Sequence, residues 1–211
     1  MFRALPPFAL ARLAESAAAL ELPCGSRLYR AGERCPGLYN VITGRIMLSV
    51  GAPPNNTKVV ELAGPGDHLG LAGAMLGEVE TTTAETVAES RVLLIPREAM
   101  LECAHAHAMF GIQLITALSR EVCARLADIE AFVLHSGRRR VADYLQQIAA
   151  ANGRRRVVTL PAKKSIIASR LNLTPEYFSR MLHELIEAGA ITVHGRQITI
   201  LDPAYLRQHS A

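Results

Sequence analysis

Between Pro161 and Leu201 apolar positions first recur at three- and four-residue steps, then break, then alternate. Ser165 to Leu171 reads as a short amphipathic helix with Ile166, Ile167 and Leu171 on its inner side. Asn172 and Leu173 form a turn. Thr174 and Pro175 then open a second helix, since Thr caps free amides and Pro is tolerated at the first helical position. Phe178, Met181, Leu182, Leu185 and Ile186 recur at helical spacing and predict its buried face. Ile191 to Leu201 predicts a tight two-stranded ribbon with His194, Gly195 and Arg196 at its tip.

Upstream the pattern differs. From Ala108 to Ser136 a Pro-free stretch predicts a long helix. Ile115, Leu118, Val122, Leu126, Ile129 and Val133 form one seam, roughly 30 Å long at a helical rise of about 1.5 Å per residue. A second apolar set on that helix (Phe110, Leu114, Ala117, Phe132) implies that one side packs on its own domain and the other on a partner chain. The run Gly137 to Arg140 reads as a hinge, followed by a helix over Val141 to Ala150, a loop over Arg154 to Arg156 and a strand from Val157 to Leu160. Residues 24–100 carry short apolar runs, Leu28–Tyr29, Leu38–Ile42, Ile46–Val50, Val59–Leu62 and Val92–Ile95. Turn signals such as Thr43-Gly44, Pro53 to Asn56 and Gly64 to Asp67 separate them, which predicts an antiparallel jelly roll. The first 22 residues fit an amphipathic helix. The expected fold is therefore α+β, with a β barrel at 1–107, a dimerisation helix at 108–136 and a winged helix-turn-helix at 137–211.

Composition sharpens this division. The chain has 211 residues, half of them apolar, and a formal charge of +4. Residues 1–136 carry −3 and residues 137–211 carry +7, so the excess cations sit beside the helix-turn-helix, as phosphate binding requires. No stretch approaches the roughly 18 uninterrupted apolar residues of a membrane span, and the expected location is cytoplasmic. Cys24, Cys35, Cys103 and Cys123 show neither zinc-site nor disulfide-framework spacing.

The chemistry of the second helix points to double-stranded DNA. Glu176, Ser179 and Arg180 share the face opposite its apolar stripe. Arginine can bond guanine O6 and N7 together, glutamate can accept from cytosine N4, and serine suits either base type. An ion pair between Glu176 and Arg180 on a solvated helix is the plainer alternative, disfavoured by the turn before and the ribbon after.

The assembled pattern resembles the CRP/FNR family of bacterial transcription regulators over nearly the whole chain. The segment GSRLYRAGERCPGLYNVITGRIMLSV, the turn Gly64-Pro-Gly-Asp67 with Leu69-Gly70, the strand end Leu94-Ile95-Pro96 and the helix EYFSRMLHEL carry the resemblance. It implies a cupin-like sensor barrel, a dimerisation helix and a winged-helix reader of palindromic DNA. Glu176, Ser179 and Arg180 match the FNR-like E-x-x-S-R version, which implies TTGA-like half-sites. The CRP-like version has Arg where this chain has Pro175. His194 and Arg196 correspond to a wing tip near the phosphates, and Thr174 to the start of the recognition helix.

The resemblance also frames the effector. Members that bind cyclic AMP carry Gly-Glu-Leu and then Arg-Ser in the barrel; this chain has Gly70-Leu71-Ala72-Gly73 and Thr81-Thr82, with Arg125 and Leu126 where purine-binding hydroxyls would align. No arginine lies between Arg45 and Arg91, so cyclic-nucleotide binding is not expected. The cysteine cluster that would hold an iron–sulfur cluster is missing. The remaining options are haem, a metabolite, a thiol switch or no effector. The long helix is similar to Dnr-like haem sensors, with His68 the haem-ligand candidate and Met75, His105 and His107 expected near the same pocket. Cys24 and Cys35 lack a feature that would lower a thiol pKa. A cupin-type metal site would need further histidines beside His68. Contacts with RNA polymerase are fixed by no motif.

Overall fold

The computed structural model describes residues 2, 5–52, 56–151, 153 and 156–208. Pro53, Pro54 and Asn55 of the expected turn, Arg154 and Arg155 of the expected loop, and Met1, Arg3 and Ala4 of the expected first helix lie outside those residues. In chain order the elements are α1 (Pro7–Ser16), β1 (Ala18–Leu22), β2 (Arg27–Tyr29), β3 (Gly37–Thr43), β4 (Ile46–Ala52), β5 (Asn56–Ala63) and β6 (His68–Leu69). There follow α2 (Leu71–Leu76), β7 (Thr83–Thr86), β8 (Ser90–Pro96), α3 (Arg97–Ala106) and α4 (Ala108–Leu134). The rest are α5 (Gly137–Ala151), β9 (Val157–Thr159), α6 (Lys164–Arg170), α7 (Pro175–Glu187), β10 (Ile191–His194), β11 (Gln197–Ile200) and α8 (Pro203–Gln208). The chain divides into two compact units, Met1–Leu126 and Ala127–Ala211.

In the first unit β1-β8-β3-β6 and β2-β7-β4-β5 form two antiparallel sheets, the expected jelly roll. The cause is visible in the register. Val41 pairs with Val92, and Leu48 with Ala84, and all four side chains are buried in one core between the sheets. Leu38 and Ile95 also pair, but they point to a second core shared with α1, α2, α3 and the start of α4. There Met100, Phe110 and Leu114 are almost fully buried.

Two expectations about local structure are corrected. Residues Ala18–Leu22, expected to be helical, form β1 and pair with Leu94 through Ser90 of β8. Alanine is the best helix former, but intrinsic propensity is worth less than about 1 kcal/mol per residue, and the ladder offered by an open sheet edge overrides it. The run Gly137 to Arg140 is no hinge. It is the first turn of α5, capped by Ser136, whose Oγ accepts from the Arg139 amide at 3.2 Å. Only His135 and Ser136 separate α4 from α5. Phe132 also leaves the role expected of it. It belongs to the second unit, where the Arg140 guanidinium lies 5.8 Å from its ring centroid.

The second unit is built on α5, α6 and α7 with the sheet β10-β11-β9. Phe178, Leu182 and Leu185 of α7 and Ile167 of α6 are buried there. Phe178→Ala removes a completely buried ring. It should cost about 3–5 kcal/mol, read as a lower denaturant midpoint for the transition of this unit.

Candidate nucleic-acid interface and barrel cavity

The turn between α6 and α7 is held by backbone chemistry. The Leu173 amide donates to Ala168 O at 2.9 Å, and Asn172 takes a left-handed φ of 57°, a conformation that asparagine adopts more readily than most residues. Thr174 caps α7, its Oγ1 accepting from the Tyr177 amide at 3.2 Å, and Pro175 occupies the first turn. Glu176 lies in that turn, where the helix dipole favours negative charge.

With Phe178, Met181, Leu182 and Leu185 inward, Glu176, Ser179 and Arg180 are all exposed together on the outer side. Ile186, expected inside, is 39 % exposed; about 100° round the helix from Leu185 and about 40° beyond Leu182, it sits at the outer edge of the stripe. No ion pair joins Glu176 to Arg180 among the described residues. The Arg180 guanidinium instead stands 4.7 Å from the centroid of the Tyr177 ring.

Tyr177 is the residue that sequence reasoning missed. A Cβ placed on Gly137 would lie 2.4 Å from Tyr177 Cε1, so the ring seats against α5 only because that position is glycine. The available signal was an aromatic three residues before an exposed arginine, close enough on a helix for stacking.

Gly195, at φ 62°, allows the tight turn between β10 and β11, which leaves His194 and Arg196 exposed at its end. The Arg196 carbonyl accepts from the Leu160 amide at 2.8 Å and ties that turn to the chain leaving β9, the edge strand opposite β10.

On α4, Ile115, Val122, Leu126, Ile129 and Val133 are each more than half exposed, whereas Leu118 is partly buried against the first unit's helical core. Phe110, Leu114 and Ala117 face inward. An apolar row of this length left in water is an unfinished packing surface.

Inside the first unit a cavity of about 390 Å³ is lined by β2, β6 and α2, by Glu80, Thr81 and Thr82, and by Leu118 to Leu126 of α4. Arg125 is committed: it donates to Val60 O at 2.7 Å and pairs with Glu61. His68 Nε2 stands 3.1 Å from Glu121 Oε1, without the angle of a hydrogen bond. Glu80 is 8 % exposed, its Oε1 has no hydrogen-bond partner, and neither has the Tyr29 hydroxyl. Burial raises the Glu80 pKa above the usual carboxylate range; the Cys35 thiol opposes this and Glu121 adds to it.

Of the expected haem ligands, only His68 lines this cavity. Met75 packs in the helical core, His105 Nδ1 is 2.8 Å from Leu101 O, and the His107 ring meets Phe8 at 5.6 Å. Among the described residues the cavity wall therefore offers one candidate axial ligand, His68, with Glu121 against it. Among the described residues no three of His, Cys, Asp and Glu are grouped to hold a metal, and no helix is long and apolar enough to cross a membrane.

Comparison with known proteins agrees with these elements. Residues 19–107 match the cyclic nucleotide-binding domain model and residues 139–209 the Crp-like helix-turn-helix domain model. The CRP-like cAMP-activated global transcriptional regulator of Mycobacterium tuberculosis is 23 % identical over 214 residues, spanning 100 % of this chain and 96 % of that protein. The nitrogen fixation regulation protein FixK of Bradyrhizobium diazoefficiens is 28 % identical, over 85 % of this chain and 76 % of its own length. The solved structure of FixK2 from Bradyrhizobium japonicum superposes with a TM-score of 0.84, at 22 % identity, covering 92 % of this chain and 98 % of that one.

The four thiols are free, and their surroundings differ. Burial pushes Cys35 up to about 12, although its Sγ donates to Gly37 O at 2.8 Å. Exposed Cys24 should be alkylated by iodoacetamide in the native protein while Cys35 stays protected until unfolding. Peptide mass spectrometry checks this, and native labelling of Cys35 would contradict its burial.

Proposed function

The chain belongs to the CRP/FNR family of DNA-binding transcription regulators, and from that premise we propose that it reads a TTGA-like palindrome as a homodimer. The observation that carries this reading is the joint exposure of Glu176, Ser179 and Arg180 at the capped start of α7. A recognition helix presents its N-terminal residues to base edges in the major groove. The E-x-x-S-R pattern and the similarity to FixK support the FNR/Dnr-like branch. Thr174 stands at the helix start, while His194 and Arg196 meet the phosphate backbone and set register without reading bases.

Dimerisation runs along Ile115, Leu118, Val122, Leu126, Ile129 and Val133. Pairing two such helices covers the exposed row and supplies the two-fold symmetry a palindrome demands. The sensor barrel occupies 1–107, the dimerisation helix 108–136 and the reader 137–211. The protein acts in the cytoplasm, on double-stranded DNA, with RNA polymerase its further partner, and it is not an enzyme. Control comes from an effector other than cyclic AMP at the barrel. The cavity has no uncommitted arginine for a cyclic phosphate, while a buried carboxylate on its wall, Glu80, favours effector control over effector independence.

Arg180→Ala should weaken binding to a TTGA-N6-TCAA duplex by about 1–3 kcal/mol per half-site and relax preference at the base it reads. Arg196→Ala should weaken all sequences alike and lower the salt slope by about one. Fluorescence anisotropy across a salt series separates the two; equal effects on cognate and scrambled DNA from Arg180→Ala would contradict its role. Leu126→Glu should convert the dimer to monomer in sedimentation equilibrium and weaken palindrome binding at least tenfold. A dimeric variant would remove the α4 seam as the interface.

A further inference from the structure

We propose that the barrel cavity takes a small organic cation bearing N–H donors, with Glu80 as its anchoring counter-ion. This rests on the reading of the barrel as the effector site and adds the ligand's chemical class. Three carboxylates, Glu61, Glu80 and Glu121, face the cavity. The two basic side chains on its wall are already placed against two of them, Arg125 against Glu61 and His68 against Glu121. Glu80 is the acid left over.

That leftover group is more than a surface charge. Glu80 is more than nine-tenths buried and lines the cavity, and no basic side chain stands against it among the described residues. An isolated carboxylate is costly to bury, and the cost falls when a cation with donors meets it. Without such a ligand Glu80 holds its proton more tightly, in keeping with its raised pKa. The backbone fixes the carboxylate in place: the Glu80 amide donates to Glu33 O at 2.9 Å and its carbonyl accepts from the Gly32 amide at 2.8 Å. A Cβ at Gly73 would lie 2.1 Å from Glu80 Oε1, so glycine there makes room for the acid.

Size and sign then select the ligand. A cavity of about 390 Å³ is at the small end of ligand sites, which run from about 300 to 1,000 Å³. An anion, a cyclic phosphate included, would meet carboxylates with no free cation to offset them. A protonated amine or guanidine instead brings its charge and its donors to the carboxylates that Arg125 and His68 leave unmatched, Glu80 first.

The test is isothermal titration calorimetry of the full-length protein with agmatine, histamine and spermidine, and with cyclic AMP and succinate as anionic controls. The expected result is saturable binding of at least one cation, one per chain, and no heat from the anions. Glu80→Gln should weaken that cation at least tenfold with the native circular dichroism retained. Should Glu80→Gln not fold, Glu121→Gln at the half-exposed rim should weaken it at least threefold. Binding of an anion in preference to every cation, no cation binding, or unchanged affinity in a folded variant would each overturn the proposal. No DNA enters this measurement. Its failure therefore leaves the palindrome reading standing, and failure on the palindrome leaves the cation result standing.

Discussion

The reader unit depends on a single packing constraint, the burial of the α7 stripe. Phe178, Met181, Leu182 and Leu185 can leave water only by turning that side of the helix toward α5 and α6, and the opposite side is thereby turned out. Each deeply buried large apolar side chain contributes about 1.5–3 kcal/mol, far more than an exposed ion pair at about 0–1 kcal/mol. The orientation of Glu176, Ser179 and Arg180 is thus set by residues on the other side of the helix. Thr174 and Pro175 fix where the helix begins, and so which residues occupy its first two turns.

The same unit contains the last turns of α4. Arg170 of α6 donates to both Asp128 oxygens at 2.9 Å, and Arg140 donates to Phe132 O at 3.2 Å. Ile129 and Val133 sit on the same turns. Ile129 and Val133 therefore belong to the same compact body as the helix-turn-helix, with only His135 and Ser136 between α4 and α5. The Tyr177 ring, seated on Gly137 at the opening of α5 and stacked under Arg180, places that exposed guanidinium one contact away from this segment.

Much of this was legible from residue spacing, and the exceptions have physical causes. The α6–turn–α7 segment could be read because caps, turn residues and a clean apolar stripe agree at every position. The α4 seam was legible because a long helix leaves a long periodic trace. Strand β1 was not, since Ala18 and Ala19 carry no pattern of their own and take theirs from β8. The start of α5 was misread because a glycine before three arginines looks like a break, whereas Ser136 makes it a capped beginning. In the barrel, the lack of arginine could be counted along the chain. That Glu61 and Arg125 cancel while Glu80 stays unmatched could not, because those residues meet only through folding.

The continuity of α4 has a geometric consequence. Its 27 residues run without a proline across the boundary between the two units. At about 1.5 Å per residue such a rod is about 40 Å long. Its apolar positions from Ile115 to Val133 therefore span about 27 Å of one uninterrupted surface.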